Sequence, residues 1–317
     1  MTTLPAADRV APSARLAAAA PVIERIGATP LLDLGALLPA GAGVRLLAKA
    51  EFCNPGGSVK DRPALFMLRH ALLRGLFDDG ARVLDATSGN TGIAYAMLGA
   101  ALGIGVTLCV PNNASPERRR LLLAYGAEVL ATDPREGSDG ASREARRLAA
   151  ERAGEFVYLD QYGNEQNWRA HFATTGPEIW EQSAGTVTHF VTGLGTSGTF
   201  LGVGRFLRRC SPQVRLISVQ PDGPLHGLEG MKHMESALVP PIYDPTLADE
   251  ERSVATELAY ATTRRLAREL GIAVGISAGA NVAAALEVAR AIDRGVVVTV
   301  LCDDATKYLS DRFWEQP

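Results

Sequence analysis

Short apolar segments alternate along the chain with longer stretches in which apolar residues recur at helical spacing. Eight segments are rich in Val, Leu and Ile without strict alternation, which is typical of strands covered on both faces. The predicted strands are Leu46–Lys49, Arg82–Ala86, Val106–Val110, Val129–Ala131, Phe156–Leu159, Thr188–Thr192, Val214–Val219 and Val296–Leu301.

The stretches between these segments predict helices. Residues 62–75 place leucines at helical spacing. Ser115 and Pro116 are typical of an N-cap and a first helical position, in a helix that Gly126 closes. The polar span 137–154 predicts a surface loop followed by a solvated helix. This strand–helix alternation predicts an α/β fold with a mostly parallel sheet.

Composition narrows the class of protein. The chain has 317 residues, of which 47% are apolar and 21% charged, as in a globular protein. A net charge of −3 argues against nucleic acid as the main partner. The four cysteines form no C-x-x-C pair and predict buried thiols in a reducing cytoplasm. No apolar run could span a membrane, and the five histidines lack metal-ligand spacing.

Three glycine-rich clusters carry the candidate chemistry, and the first, Asn54-Pro55-Gly56-Gly57-Ser58-Val59-Lys60, lies just before a helix. A lysine among small residues can be shielded from water and act as a nucleophile. A capping turn with a solvated lysine would also account for this stretch.

The second cluster, Thr87-Ser88-Gly89-Asn90-Thr91-Gly92, directly follows a predicted strand. Its amides and hydroxyls could surround a carboxylate, because all of them are short donors at a strand end. A simple helix-capping turn is the alternative interpretation.

The third cluster, Gly193-Leu194-Gly195-Thr196-Ser197-Gly198-Thr199, lies between a predicted strand and helix, where a phosphate cradle is expected. It also matches G-x-G-x-x-G, so a nicotinamide-dependent oxidoreductase has to be considered. That fingerprint needs an acidic residue at the end of the next strand, and Gln220 stands there instead.

A lysine nucleophile, a carboxylate loop and a phosphate cradle together point to pyridoxal 5′-phosphate. In these motifs the sequence resembles the cysteine synthase and cystathionine β-synthase family, of the tryptophan-synthase-β fold (fold type II). The resemblance runs from Ile26 to Ser310 and is greatest toward O-acetylserine sulfhydrylases of the B type. It implies two interleaved open-sheet α/β domains with the cofactor in the cleft between them. We expect a flexible arm at 1–20, a smaller mobile substrate-loop domain at 47–160, and a larger cofactor-binding domain at 21–46 plus 161–317.

The resemblance also implies residue roles. Lys60 would carry the cofactor and act as the catalytic base, Asn90 would contact its ring hydroxyl, and Ser277 would meet its pyridine nitrogen. The phosphate would be bound by Gly195, Thr196, Ser197, Gly198 and Thr199. The substrate carboxylate would be bound by Thr87, Ser88, Gly89, Thr91 and Gln161.

The implied reaction is a β-replacement that makes L-cysteine from O-acetyl-L-serine and sulfide through an aminoacrylate. The same motifs would serve O-phosphoserine, homocysteine or an amine nucleophile. We expect a cytoplasmic homodimer that takes an amino-acid substrate and a sulfur donor, without metal, nucleic acid or membrane. A non-catalytic binding protein is a further alternative, which the presence of Lys60 disfavours.

Overall fold

The structure, a computed structural model, describes residues 11–87 and 89–315. The chain divides into two compact units, each with its own sheet. The first unit comprises the described residues up to Ile26 together with Lys60–Asn167, and the second comprises Gly27–Val59 together with the described residues from Trp168. The predicted α/β class is confirmed.

The regular elements alternate along the chain as the sequence pattern indicates. The strands are β1 (Leu31–Asp33), β2 (Val44–Ala50), β3 (Arg82–Ala86), β4 (Val106–Pro111), β5 (Glu128–Thr132), β6 (Phe156–Tyr158), β7 (His189–Gly193), β8 (Arg215–Pro221), β9 (Glu250–Val254) and β10 (Gly295–Leu301). The α-helices are α1 (Pro12–Ala18), α2 (Ala20–Ile23), α3 (Asp61–Leu73), α4 (Asn90–Leu102), α5 (Pro116–Ala124), α6 (Gly137–Glu151), α7 (Gln166–Ala173), α8 (Thr175–Gln182), α9 (Gly198–Cys210), α10 (Thr256–Leu270) and α11 (Ile276–Arg290).

The first unit is built on a parallel sheet in the order β5-β4-β3-β6. Because successive strand residues point to opposite faces, β3 contributes to two cores. Val83 packs with α3 and α4, whereas Leu84 and Ala86 pack with α6. Helices therefore cover both faces, which explains why the central strands β3 and β4 are mostly apolar.

The second unit contains a six-stranded sheet in the order β1-β2-β10-β7-β8-β9. β1 runs antiparallel to β2, and the other neighbouring strands are parallel. Residues of α10 and α11 pack in the core on one face, and residues of α8 and α9 pack in the core on the other. β10 lies between β2 and β7 and runs parallel to both.

All eight predicted strands are present, but the sequence interpretation missed two others. β1 has three residues, which is too few to show a pattern. β9 reads EERSV, and its charged residues conceal it among the loops. It pairs with β8 at the edge of the sheet, where charged side chains are expected because they discourage pairing with another chain.

Two further expectations differ from the structure. The loop predicted at the start of 137–154 is wrong, because α6 already begins at Gly137 and buries Gly140 and Ala141. The predicted arm at 1–20 lies outside the described residues up to residue 10. Beyond it, Pro12–Ala18 is helical, and Arg15 donates hydrogen bonds to the carbonyls of Leu102 and Gly103 at the end of α4.

The cysteines are less buried than predicted. Cys109 is buried, Cys302 is half-buried, and Cys53 and Cys210 are exposed. Among the described residues, no helix is both long and apolar enough to cross a membrane.

Candidate active site

In the first unit, the loop between β3 and α4 is organised around a threonine hydroxyl. Thr87 Oγ1 accepts hydrogen bonds from the amides of Gly89 at 3.0 Å and Gly92 at 3.2 Å. These bonds fold the loop into the start of α4, which begins at Asn90. Thr87 and Thr91 are both buried. Ser88, which the sequence analysis includes in this loop, lies outside the described residues.

Gln161 joins the loop from the neighbouring strand. Since β3 and β6 are adjacent and parallel, the residues that follow them lie at the same sheet edge. Thr91 Oγ1 donates to Gln161 Oε1 at 2.7 Å, and Gln161 Nε2 donates to the carbonyl of Ala86 at 2.6 Å. The side-chain amide of Gln161 is therefore held within this loop. The structure thus brings Gln161 into direct contact with Thr91, whose loop also contains Thr87.

Lys60 lies at the N-cap of α3 and is half-buried. The segment before it is fixed within the second unit: Asn54 Oδ1 accepts from the amide of Gly27 at 2.8 Å, and the amide of Val59 donates to the carbonyl of Cys302 at 2.8 Å. Lys307 Nζ donates to the carbonyl of Gly57 at 2.6 Å. The chain thus enters Lys60 from a rigid support.

The glycine loop after β7 forms a close-fitting backbone cradle. A Cβ at Gly195 would lie 2.2 Å from the carbonyl oxygen of Gly230, so no other residue fits without moving backbone. Ser197 has the left-handed φ of +67°. The loop leads into α9, a helix of 13 residues whose first amides have no partner within the helix. These amides and the helix dipole favour a bound anion.

His171, which the sequence analysis did not select, supports this cradle from α7. Its Nε2 lies 3.3 Å from Thr199 Oγ1, and its Nδ1 lies 2.9 Å from Thr175 Oγ1. The imidazole is buried, with 1% of its surface exposed. No motif distinguishes it in the sequence, because 28 residues separate it from Thr199.

A buried asparagine, Asn281, links the helix that carries Ser277 to the ends of β7 and β10 in the second unit. Ser277 is buried in the first turn of α11, and Asn281 follows one turn later on the same face. Asn281 Oδ1 accepts from the amide of Gly193 at 2.7 Å, and its Nδ2 donates to the carbonyl of Val300 at 2.8 Å. Asn281 therefore fixes the start of α11 against the ends of β7 and β10. Its position in an alanine-rich helix was a signal that could have been noticed.

Metal chemistry has no counterpart in the part of the chain that the structure describes, where no group of three or more His, Cys, Asp or Glu could hold an ion.

The comparisons with known proteins decide the family. Residues 22–303 match the family model described as "Pyridoxal-phosphate dependent enzyme". The chain belongs to this family. A cysteine synthase of Aquifex aeolicus is 49% identical over 295 residues, covering 91% of this chain and 90% of that protein. Membership in the pyridoxal-phosphate-dependent family assigns the cofactor and excludes the nicotinamide interpretation of the glycine loop.

Solved structures of the family share the fold. Cysteine synthase of Entamoeba histolytica is similar with a TM-score of 0.87 and 32% identity, covering 93% of this chain and 90% of that chain. An O-ureido-L-serine synthase is similar with the same TM-score and 36% identity, covering 93% and 94%. The fold alone therefore does not distinguish between these two activities.

The residues present fit pyridoxal phosphate. The cradle at Gly195 is closed to any side chain there, and the start of α9 supplies donors for a phosphate dianion. Ser277, the expected partner of the cofactor's pyridine nitrogen, has a neutral hydroxyl that can form a hydrogen bond with that nitrogen.

Proposed function

We propose that this protein is a cysteine synthase that makes L-cysteine from O-acetyl-L-serine and sulfide by β-replacement. The observation that carries the proposal is the paired hydroxyl and amide of Thr91 and Gln161 at the edge of the first sheet. In a family whose cofactor is pyridoxal phosphate, this arrangement supplies a site for the carboxylate of an amino acid. Similarity to a cysteine synthase of Aquifex aeolicus and to an O-acetylserine sulfhydrylase of Entamoeba histolytica supports the same reaction.

In the second unit, the loop Gly195, Thr196, Ser197, Gly198 and Thr199 would hold the cofactor phosphate through backbone amides and hydroxyls. His171, in α7, would orient the Thr199 hydroxyl through its contact with Thr199 Oγ1. Ser277 would meet the pyridine nitrogen, and Asn281 would keep Ser277 in place by fixing the start of α11. When bound, pyridoxal phosphate supplies an electron sink that eases departure of the β-substituent. A neutral partner such as Ser277 moderates that sink and limits side reactions.

In the first unit, Thr87, Ser88, Gly89, Thr91 and Gln161 would bind the substrate carboxylate. Asn90 would contact the cofactor ring hydroxyl. Lys60 would attach the cofactor through its amine and, once released by the substrate, would remove and return the proton at Cα. We further propose that this unit is the smaller substrate-loop domain and that its partner unit is the larger cofactor-binding domain.

We propose O-acetylserine rather than O-phosphoserine because segment 221–229 carries Asp222 and Glu229, with Lys232 as a cation nearby in the sequence. A phosphoserine dianion favours arginine partners, and segment 221–229 contains no arginine. Homocysteine is the second candidate nucleophile, since an O-acetylserine-dependent cystathionine β-synthase of Helicobacter pylori shares the fold with a TM-score of 0.86 and 32% identity. The proposal also includes a homodimer located in the cytoplasm, in keeping with four cysteines that form no disulfide with one another.

The test is a visible absorbance spectrum of the purified holoenzyme, recorded before and after O-acetyl-L-serine and again after sulfide. The proposal expects a spectral change with O-acetyl-L-serine, reversal by sulfide, and stoichiometric L-cysteine measured by chromatography. A spectrum that changes with O-phospho-L-serine and not with O-acetyl-L-serine would show that O-phospho-L-serine is the substrate. A protein that binds pyridoxal phosphate and forms no cysteine from either would overturn the function.

A further inference from the structure

Asp85 is a buried carboxyl group that the reaction described above does not use. It lies in β3, where the other residues of RVLDA are apolar except for the first, and none of its surface is exposed. It stands two residues before Thr87, the residue that organises the carboxylate loop. A buried charged group of this kind needs hydrogen-bond partners to be tolerated.

The partners of Asp85 come from three different elements. Oδ1 accepts from the amide of Ala86 at 2.8 Å, at the end of β3. Oδ2 accepts from the amide of Gln161 at 3.1 Å and from the hydroxyl of Tyr95 at 3.0 Å. One carboxyl group therefore ties the strand end, the segment after β6 and helix α4 together.

These three ties converge on the carboxylate loop. Gln161 accepts from Thr91 and donates to the carbonyl of Ala86, and its own carbonyl accepts from Asn167 Nδ2 at 2.7 Å. Tyr95 lies one helical turn after Thr91 on α4. Removal of the Asp85 carboxyl group would remove the hydrogen bonds to the Gln161 amide and to Tyr95. Tyr95 lies in the second turn of α4, the helix that directly follows the loop.

The protonation of Asp85 can change near neutral pH without breaking this network. Burial raises the pKa of the Asp85 carboxyl to about 7, against hydrogen bonds from Ala86, Tyr95 and Gln161 that lower the pKa. Burial and the charge of Asp85 raise the pKa of Tyr95 well above its ordinary value, so its hydroxyl stays protonated. That hydroxyl also lies 3.5 Å from Met67 Sδ, to which it can donate when Asp85 carries its own proton.

The other titratable groups around Asp85 come from every side of the strand. They are Tyr95 of α4, Cys109 of β4, Arg146 of α6, Tyr158 of β6, and Asp160 and Tyr162 of the segment that follows. Asp160 contributes to the raised pKa of Asp85. Arg146, the cation among them, has 49% of its side chain exposed, so water screens its charge.

We propose that Asp85 is a positioning residue whose protonation controls how tightly the chain binds the carboxylate of its amino-acid substrate. In the neutral form, Asp85 still holds Gln161 and the loop but presents no negative charge. In the ionised form, it opposes a second carboxylate bound at the loop, because charges interact strongly in a low-dielectric interior. Substrate binding is then coupled to uptake of a proton by Asp85, and this coupling is reciprocal.

The inference rests on the proposed carboxylate loop, and its test separates the two. The holoenzyme is titrated with L-alanine, which has a carboxylate and no leaving group, and with L-alaninamide, which has no carboxylate. The cofactor absorbance reports binding at pH 6 and pH 8 in wild type and in Asp85→Asn, whose side chain is neutral at both. The ratio of wild-type to variant Kd cancels the titration of the ligand amine.

For L-alanine we expect this ratio to rise several-fold from pH 6 to pH 8, and for L-alaninamide we expect it to stay constant. A constant ratio for L-alanine would overturn the inference, as would an equal rise for both ligands. Failure to form cysteine from O-acetyl-L-serine would instead reject the proposed reaction, because the L-alanine titration does not require turnover. Asp78→Asn, an exposed aspartate of the same unit, should behave as wild type.

Tyr95→Phe keeps the test decisive should Asp85→Asn fail to fold. This variant retains the carboxyl group and removes a hydrogen bond that favours its charged form. The midpoint of the pH dependence of L-alanine binding should therefore move to higher pH. An unchanged midpoint would contradict the role of Asp85.

Discussion

A carboxyl group in the interior of a strand changes the stability of the whole protein with pH. Asp85 is held by three donors, yet burial still makes its neutral form the favoured one up to about pH 7. In the unfolded chain an aspartate releases its proton near pH 4. Between these values the folded protein binds a proton that the unfolded chain has lost.

The free energy of unfolding should therefore fall as the pH rises from about 4 to about 7, and this contribution should be constant above that range. The change amounts to a few kcal/mol, at about 1.4 kcal/mol per pKa unit. Asp85→Asn should lack it. Urea denaturation of both proteins at pH 5 and pH 7.5 measures the difference. If the free energies of unfolding of wild type and Asp85→Asn differed by the same amount at pH 5 and pH 7.5, the prediction would be contradicted.

A second prediction for a single residue concerns the proposed attachment of the cofactor to Lys60. Borohydride reduction of the holoenzyme should fix the cofactor to the peptide that contains Lys60, as mass spectrometry would show. Lys60→Ala should yield no modified peptide and should reduce kcat by roughly 10² to 10⁴ or more, since it loses both attachment and the base. Lys60→Arg keeps the positive charge and should fail equally. A modified peptide elsewhere in wild type would reject the role.

The sequence indicates candidate site residues where those residues are adjacent in the chain. Lys60, the Thr87–Thr91 loop and Gly195–Thr199 each stand in one short motif, so composition and spacing indicate them. His171 and Asn281 contact their partners across 28 and 88 residues, and no local pattern encodes such a contact. Asp85 did leave a signal, because a charged residue interrupts an otherwise apolar strand.

Among the elements, the glycine loop after β7, which we propose holds the cofactor phosphate, shows how backbone shape limits which residues a position accepts. Gly195 passes so close to the carbonyl of Gly230 that a side chain there would displace backbone on one side. The amides of the loop and of α9 would then no longer point at one anion. Cofactor affinity should depend on this residue more than on glycines at open positions.

Gly195→Ala should raise the Kd for pyridoxal phosphate at least tenfold, through the displaced cradle. Gly223→Ala is the matched control, because a Cβ there meets nothing within 4 Å. Equilibrium dialysis against pyridoxal phosphate, with circular dichroism to verify the fold, gives both values. Equal affinities in the two variants would show that the loop tolerates a side chain.

The elements that the sequence predicted well are those whose burial is uniform. β4 and β10 are covered on both faces and are therefore apolar along most of their length, and β3 departs from this pattern at Arg82 and Asp85. β9 is a strand because β8 offers it backbone partners, whatever its side chains. α6 begins earlier than its polar sequence indicates, because tertiary packing buries Gly140 and Ala141. Edges and helix starts thus depend on neighbours that propensity does not describe.

For the whole molecule, the cofactor should contribute to stability in a way that depends on its phosphate. A ligand that binds the folded protein alone stabilises it by about 2.7 kcal/mol at a hundred times its Kd. Pyridoxal 5′-phosphate should therefore raise the Tm of the apoenzyme by several degrees. Pyridoxal, which lacks the phosphate, should raise it much less. Equal shifts in differential scanning calorimetry would contradict a phosphate cradle.

The position of β10 in the sheet also has a consequence for co-translational folding. β10 is a central strand of its sheet, yet residue 44 has to wait for residue 295 before it gains this neighbour. Translation over that distance lasts on the order of ten seconds or more. β2 and β7 are therefore exposed as incomplete edges during synthesis, whereas 60–167 emerges with all four strands of its own sheet. We expect nascent chains to be most prone to aggregation, and most dependent on chaperones, just before β10 is made.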